Sequence, residues 1–292
     1  MQNITPAAIA ALVLELILAA LFGFAAERVA RTLQRWPLVV RMVLPALFAI
    51  PYTLVSHAHG IFQWPWFSLY VLLPVAIAWL LMHAAAADPQ QRGNWRDAFI
   101  LLVLGMAVDL RWFDSAWPSG LRALNELLLV DVGLYGFLAI RQLNGTGFDF
   151  HLRWIDWKTG LRELLFFTPI VLVLGLALGF IHPHRNLPGI FSALLRWVAI
   201  FFFTAVPEEL FFRAWVQNLL ERQIGRRAAL VIASLLFGLS HFNKRSAHFN
   251  WRYVILATIA GIFYGRAWRE HRRVPASAIT HASVDWIWGL WF

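Results

Sequence analysis

Several ionisable side chains in the C-terminal half of the chain lie inside apolar stretches, where charged groups are costly and usually face other protein groups or a polar cavity. They belong to three short segments, AVPEELFFRAW, FGLSHF and THASVDW, and with their neighbours they are Glu208, Glu209, Arg213, Phe237, His241, His281 and Asp285. Carboxylates and imidazoles that meet in one place can activate a water molecule and stabilise an oxyanion. These residue types therefore predict a buried hydrolytic site.

Helical spacing sorts the residues into pairs. Glu209 and Arg213 are four residues apart, so they share a helix face and can form an ion pair. His281 and Asp285 have the same spacing, which allows the carboxylate to hold the imidazole in one tautomer. The adjacent Glu208 points about 100° away from Glu209, so the two acids are expected to have different roles.

The chemistry of the side chains suggests a division of roles. A carboxylate in an apolar setting suits a general base near neutral pH, so Glu208 with His241 is expected to hold and activate a water molecule. His281 is expected to donate a hydrogen bond to the oxyanion of a tetrahedral intermediate. A hydrogen bond between helices explains any one of these residues equally well, but it does not explain the whole set.

The three segments, in this order, resemble a known family. EELFFR fits Glu-Glu-x-x-x-Arg, FGLSH fits Phe-x-x-x-His, and HASVD fits His-x-x-x-Asn/Asp. Together they resemble the CPBP (CAAX protease and bacteriocin-processing, or Abi) family of intramembrane endopeptidases, over roughly residues 161–292. The best-known relatives in that family remove the last three residues of prenylated CAAX proteins.

The resemblance implies a role for each motif residue. Glu208 and His241 would activate the water, and His281 and Asp285 would line the scissile carbonyl. The remaining motif positions are filled by Glu209, Arg213 and Phe237.

One position departs from the family pattern. CAAX-processing members typically carry Asn where this chain has Asp285, and an ionised Asp would repel an oxyanion. Three explanations stay open: Asp285 is protonated, it only orients His281, or it binds a metal.

The family is described both as metalloproteases and as metal-free glutamate proteases. If zinc or another divalent metal is present, Glu208, His241 and His281 are its expected ligands.

The composition indicates which solvent surrounds these segments. Of the 292 residues, 60% are hydrophobic and 14% are charged, whereas soluble proteins have about a quarter of their residues charged. So few polar groups cannot cover a surface in water, and we predict an integral membrane protein. The composition excludes a cytosolic enzyme, a disordered protein and a nucleic-acid binder. The absence of Cys excludes disulfides and thiolate metal sites.

The hydropathy pattern predicts an all-α, polytopic membrane protein of about eight to ten transmembrane helices, with the active site inside a C-terminal helical bundle. The ten apolar stretches are 6–26, 37–56, 66–87, 97–112, 121–140, 161–181, 190–220, 227–241, 252–270 and 274–292. We predict an N-terminal accessory region of about five helices at 1–145. A cytoplasmic interfacial loop is expected at 146–160 and a catalytic domain at 161–292.

The distribution of basic residues predicts the orientation. With the N-terminus outside, the inside segments hold 17 Lys and Arg and the outside segments hold 6, which agrees with the positive-inside rule. Lys244, Arg245 and Arg252 are a local exception to this asymmetry. The first stretch is expected to be a retained anchor. We expect a multi-pass protein of a bacterial inner membrane.

These observations favour an endopeptidase that hydrolyses a peptide bond in a membrane-embedded or lipid-anchored protein or peptide. Because bacteria generally lack prenylation, a bacteriocin-like peptide or a C-terminal sorting tail is a better candidate than a literal CAAX substrate. One alternative is a non-catalytic scaffold or bacteriocin-immunity factor of the same fold. Another is a proton-coupled transporter that uses buried acids such as Glu15 and Asp109. The sequence leaves the oligomeric state open.

Overall fold

The computed structural model describes residues 5–183, 188–244, 246 and 248–292, and among these residues there is no β-strand. The prediction of an all-α fold is confirmed. The helices are α1 (Pro6–Gln34), α2 (Leu38–Ala58), α3 (Trp64–Ala87), α4 (Trp95–Asp109), α5 (Ser119–Ile140), α6 (Trp154–Ala177), α7 (Ile190–Ile224), α8 (Arg226–Leu239), α9 (Trp251–His271) and α10 (Val274–Trp291).

Six of these helices are long and apolar enough to cross a membrane, namely α1, α2, α3, α5, α6 and α7. The chain is therefore a multi-pass integral membrane protein. The count, made over the described residues, is lower than the eight to ten spans expected. The helices α4 and α8 have only 15 and 14 residues. The helices α9 and α10 are long enough, but charged and polar side chains reduce their hydropathy.

The chain divides into two compact units, Met1–Asn144 and Gly145–Phe292. In the first unit, a buried guanidinium ties the start of α4 to the preceding loop. Arg141 Nε lies 2.9 Å from Asp97 Oδ1, and Arg141 Nη2 lies 2.6 Å from Asp88 Oδ2. Burial raises the pKa of Asp88, but hydrogen bonds from backbone N–H groups and from Arg141 bring it below its ordinary value.

In the second unit, the helix α7 contains wider, π-helical turns at Phe201–Ala205 and Leu210–Gln217, on both sides of Val206–Glu209. Pro207 lies between them, and a proline inside a helix lacks a backbone N–H and displaces the carbonyl of the preceding turn. Wider turns accommodate such a residue and often occur at functional sites. The two adjacent acids of the sequence motif follow Pro207 directly.

Two hydrogen bonds connect the helix α10 to α7. Trp286 Nε1 donates to the carbonyl oxygen of Ala193 at 2.6 Å, and Arg196 Nη1 donates to the carbonyl oxygen of Gly289 at 2.8 Å. In lipid, where polar groups find no water, such hydrogen bonds hold helices together. They fix the helix that carries His281 against the helix that carries the two acids.

The start of α10 is anchored by Arg273, whose Nε lies 2.5 Å from Asp156 Oδ1 on α6. Its Nη1 donates to Asp149 Oδ2 at 2.9 Å, and its Nη2 donates to the carbonyl oxygen of His151 at 2.8 Å. Burial raises the pKa of Asp149, but hydrogen bonds from Arg273 and His151 bring it below its ordinary value. One arginine thus joins α10, α6 and the loop that precedes α6.

The same loop touches the backbone between α9 and α10. The N–H of Val274 donates to the carbonyl oxygen of Gly147 at 2.9 Å. Gly147 has a φ of +68°, and a Cβ built on it would collide with the carbonyl oxygen of Arg272. Gly145 has the same φ, but its Cβ would meet only ordinary contacts, the nearest at 3.7 Å from Asn218 Oδ1.

We expect Gly147→Ala to destabilise the protein more than Gly145→Ala. Both changes place a side chain in the left-handed region, at about 1–2 kcal/mol, but only Gly147→Ala adds a collision with backbone. Thermal unfolding of the two purified variants in the same detergent measures the difference. Equal losses of stability would show that the close approach of the loop to Arg272 does not matter.

Candidate active site

The helices α7, α8 and α10 bring the motif residues together. Glu208 and Glu209 follow Pro207 in the middle of α7, His241 lies just after the end of α8, and His281 lies in the middle of α10. Glu209 and His281 are buried, with 0% and 3% of their surfaces exposed. Residues up to 73 positions apart in the chain therefore line one site.

Glu209 is the most highly connected carboxylate in the site. Its Oε2 lies 2.9 Å from Arg213 Nε, and its Oε1 lies 2.9 Å from His281 Nδ1. The hydroxyl group of Ser277 also donates to Oε2. Three donors from two helices thus compensate for the desolvation of a buried carboxylate. The expected pair of Glu209 and Arg213 is present, and His281 and Ser277 join it.

The partner that orients His281 differs from the one expected from helical spacing. Its Nδ1 is hydrogen-bonded to Glu209, while its Nε2 lies 3.6 Å from Asp285 Oδ2 and 3.9 Å from Glu208 Oε2. A distance of 3.6 Å is too long for a good hydrogen bond. Glu209 therefore holds the imidazole on one side, and Nε2 faces the two other carboxylates.

Glu208 occupies a different environment from its neighbour, as the spacing predicts. Its Oε1 forms an ion pair with Lys244 Nζ at 3.5 Å, and 24% of its side chain is exposed. Its Oε2 is buried and has no hydrogen-bond donor among the described residues. A buried carboxylate oxygen without a donor is a position at which a water molecule would be stabilised.

The tautomer of His241 follows from its hydrogen bond. Its Nδ1 lies 2.8 Å from the carbonyl oxygen of Phe237. Because a carbonyl oxygen can only accept, Nδ1 carries the proton, and Nε2 of the neutral ring is left with a lone pair. Glu208 and His241 also interact electrostatically. His241 is therefore prepared to accept a proton or a hydrogen bond through Nε2.

Aromatic rings hold the two imidazoles in place. Phe237 meets His281 edge to face at 5.6 Å between ring centres, and it lies 4.9 Å from the ring of His241. The guanidinium of Arg213 lies 5.1 Å from the same phenyl ring. Tyr264 stacks on His281 at 4.6 Å with an angle of 14° between the rings. Phe237, the supporting residue of the motif, thus contacts both histidines and the arginine.

A cavity of about 90 Å³ opens beside these side chains. Its wall includes His241, His281 and Asp285, together with aromatic residues such as Tyr253 and Trp288. A water molecule needs a small fraction of this volume. The cavity therefore has room for several water molecules, or for a short segment of chain, next to the imidazoles.

We tested whether the described residues fit a metal ion. Among them, no group of three or more His, Asp and Glu side chains is arranged to hold one. One of the expected ligands also has another partner, since Glu208 forms an ion pair with Lys244. Glu208, His241 and His281 as arranged do not fit a zinc site. The reaction steps assigned to these residues therefore do not use a metal ion.

Part of the chain matches a known family. Residues 189–287 match the family described as type II CAAX prenyl endopeptidase Rce1-like. The chain carries an Rce1-like domain. This finding confirms the resemblance to the CAAX protease family. At the level of the family, the Rce1-like domain supports a membrane endopeptidase that acts on membrane-associated proteins.

The matched segment contains all the motif residues from Glu208 to Asp285. Among curated proteins and solved structures, no match to the chain was found.

Several residues of the Rce1-like domain that line the site do not stand out in the sequence. Ser277 reaches Glu209, Tyr264 stacks on His281, and Lys244 pairs with Glu208. The sequence does mark Lys244 as unusual, because it belongs to the cluster of basic residues that departs from the positive-inside pattern. Ser277 lies four residues before His281, so it shares a helix face with it, but serine is too common in helices to attract notice.

We expect Arg213→Met to destabilise the protein by about 3–5 kcal/mol, because it leaves the Glu209 carboxylate buried without its cation. The double variant Glu209→Gln with Arg213→Met removes both charges and should be less destabilised than Arg213→Met alone. Unfolding in detergent, followed for both variants, measures this coupling.

Arg153→Met provides the control, because it breaks an ion pair with Asp149 in which the Arg153 side chain is 62% exposed. Such pairs contribute about 0–1 kcal/mol. A loss in Arg213→Met no larger than in Arg153→Met would contradict the central role of the buried pair.

Proposed function

We propose that the protein is an intramembrane endopeptidase in which Glu208 and His241 activate a water molecule for attack on a peptide bond. The observation that carries this proposal is that Glu208 Oε2 has no donor among the described residues, while His241, which interacts electrostatically with Glu208, has its Nδ1 proton engaged by Phe237. The adjacent cavity of about 90 Å³ supplies space for the water and the scissile bond. The family match supplies the reaction class.

In the proposed mechanism, Glu208 accepts a proton from the water while His241 Nε2 accepts a hydrogen bond from its other O–H. The water oxygen bonds to the carbonyl carbon and forms a tetrahedral oxyanion. The carbon–nitrogen bond then breaks, and the proton held by Glu208 passes to the leaving amine. The products are a carboxyl group and an amine, and Glu208 is regenerated.

His281 is the proposed donor to the oxyanion. Because its Nδ1 is engaged with Glu209, a donor at Nε2 requires the doubly protonated ring. The surrounding carboxylates of Glu209 and Asp285 favour this positive charge. We propose that Asp285, 3.6 Å from Nε2, stabilises the positive charge of His281 electrostatically and does not bind a metal.

Lys244 is proposed to act through Glu208. Its ammonium group, 3.5 Å from Oε1, favours the ionised carboxylate that a general base needs. This role would explain why a basic residue follows α8 on the side of the membrane where the positive-inside rule predicts few.

The substrate we propose is a membrane-embedded or lipid-anchored protein or peptide, because the site lies among apolar helices. The catalytic region is proposed to be 161–292, with 1–145 as an accessory region joined through 146–160. We place the protein in a bacterial inner membrane with its N-terminus outside, on the basis of the basic-residue asymmetry.

We expect Glu208→Gln to lower kcat by about 10²-fold or more, because it removes the general base. The assay uses the purified protein in liposomes with a library of membrane-anchored, fluorescence-quenched peptides, with and without a prenyl group. Glu270→Gln is the control, since Glu270 pairs with Arg162 at the surface and touches none of the motif residues. Wild-type cleavage by folded Glu208→Gln would overturn the mechanism, whereas a wild-type protein that cleaves none of the peptides would favour a non-catalytic scaffold.

We also expect cleavage to persist after treatment with a strong chelator, because the described His, Asp and Glu side chains do not fit a metal site. The measurement compares kcat before and after dialysis against EDTA, together with the metal content of the active sample. Loss of cleavage that only zinc or another divalent ion restores would contradict the glutamate mechanism.

A further inference from the structure

A second group of buried acids lies in the N-terminal unit, outside the site described above. Glu15 belongs to α1, and only 4% of its surface is exposed. Both of its carboxylate oxygens are buried and have no hydrogen-bond donor among the described residues. An ionised carboxylate in this position would lose its hydration without gaining hydrogen bonds in return, which is strongly unfavourable.

The position of Glu15 places it within the hydrocarbon. It is nine residues after Pro6 and nineteen before Gln34, or about 14 Å and about 29 Å along the helix at 1.5 Å per residue. The hydrocarbon core is about 30 Å thick. The side chain therefore cannot be solvated from the end of its own helix.

The charged neighbour of Glu15 is another acid. Asp131 lies on α5, which packs against α1, and 3% of its surface is exposed. The two carboxyl groups interact electrostatically. None of the described Lys, Arg or His side chains forms an ion pair with either acid, whereas the buried Asp97 of the same unit is paired with Arg141.

Three tyrosines on the helices around Glu15 have partners of their own, and the further titratable groups of these helices are Glu27, Arg28, Arg31, Arg41, His57, His83, Arg122 and Glu126. Tyr70 of α3 interacts electrostatically with Glu15, but its hydroxyl group donates to Asn125 Oδ1 at 2.7 Å. Tyr52 of α2 is bonded to Gln63, and Tyr135 of α5 donates to the carbonyl oxygen of Arg41. None of these hydroxyl groups donates to Glu15.

We propose that Glu15 and Asp131 together hold one exchangeable proton within the N-terminal unit, which is therefore a proton-binding site. Two buried carboxylates without a cationic partner among the described side chains cannot both be charged in this setting, so at least one proton or a cation must be bound. A metal cation needs several oxygen ligands, and the described acids offer no group of three. A proton needs one acceptor, and each of the two carboxyl groups provides one.

The experiment uses the full-length protein in liposomes and dicyclohexylcarbodiimide, an apolar reagent that modifies protonated carboxyl groups. Mass spectrometry locates the adduct over a series of pH values. We expect an adduct on Glu15 at neutral and lower pH that declines as the pH rises. Asp97 serves as the control within the same molecule, and we expect it to stay unmodified because it forms an ion pair with Arg141.

Two variants extend the test. Glu15→Gln should abolish the adduct, and the infrared band of a neutral carboxyl group should disappear with it. Asp131→Asn removes a negative charge beside Glu15, so Glu15 should release its proton more easily and the adduct should decline at a lower pH. If Glu15→Gln does not fold, ¹³C labelling of glutamate in the wild-type protein assigns the infrared band instead.

Three results would overturn the proposal. The first is the absence of both the adduct and the infrared band at every pH at which the protein stays folded. The second is an adduct whose yield does not change with pH, which would mean that the proton does not exchange. The third is protection of Glu15 by sodium at constant pH, which would make the site a sodium site. None of these results depends on whether the Rce1-like domain cleaves peptides.

Discussion

The ionised side chain of Glu209 is buried among apolar helices, and the geometry of the site depends on how its charge is compensated. Arg213 supplies the opposite charge from one turn further along α7, and Ser277 and His281 supply donors from α10. If any of these donors moved away, a carboxylate would be left unpaired in a medium that cannot solvate it. The same contacts that satisfy Glu209 therefore fix the ring of His281 and the position of α10 against α7.

The lipid environment explains why the remaining polar groups are grouped as they are. Polar groups of membrane helices must be satisfied within the protein, and here they collect where helices meet. Trp286 and Arg196 hydrogen-bond to backbone carbonyls between α7 and α10, and Arg273 ties the start of α10 to α6. Each contact serves the stability of the helix bundle, and each also fixes the helix that carries His281.

The two adjacent acids of α7 show how one turn of helix creates two chemical environments. Glu209 points into the bundle and has a full set of donors, whereas Glu208 points toward Lys244 and keeps one oxygen without a donor. The first arrangement suits a residue that positions others, and the second suits one that binds water. In the N-terminal unit, Glu15 is likewise a buried acid without donors, but its charged neighbour is Asp131 and not a base.

The sequence alone determined the number and approximate bounds of the helices, because hydropathy is a local property of the chain. Predicted stretches such as 190–220 and 252–270 agree with Ile190–Ile224 and Trp251–His271 to within a few residues. It also indicated the resemblance to the CAAX protease family, which the match of residues 189–287 supports, through motifs within short segments of single helices. Spacing within one helix predicted the pair of Glu209 and Arg213.

The tertiary structure decided which groups meet across helices. Spacing within α10 suggested that Asp285 orients His281. In the structure, Nδ1 of His281 is instead hydrogen-bonded to the carboxylate of Glu209, 72 residues away. Lys244 and Tyr264 lie outside the motifs, and their contacts with Glu208 and His281 depend on how α7, α8, α9 and α10 pack. Periodicity describes the faces of one helix, whereas a site made by several helices is determined by their packing, which no single segment encodes.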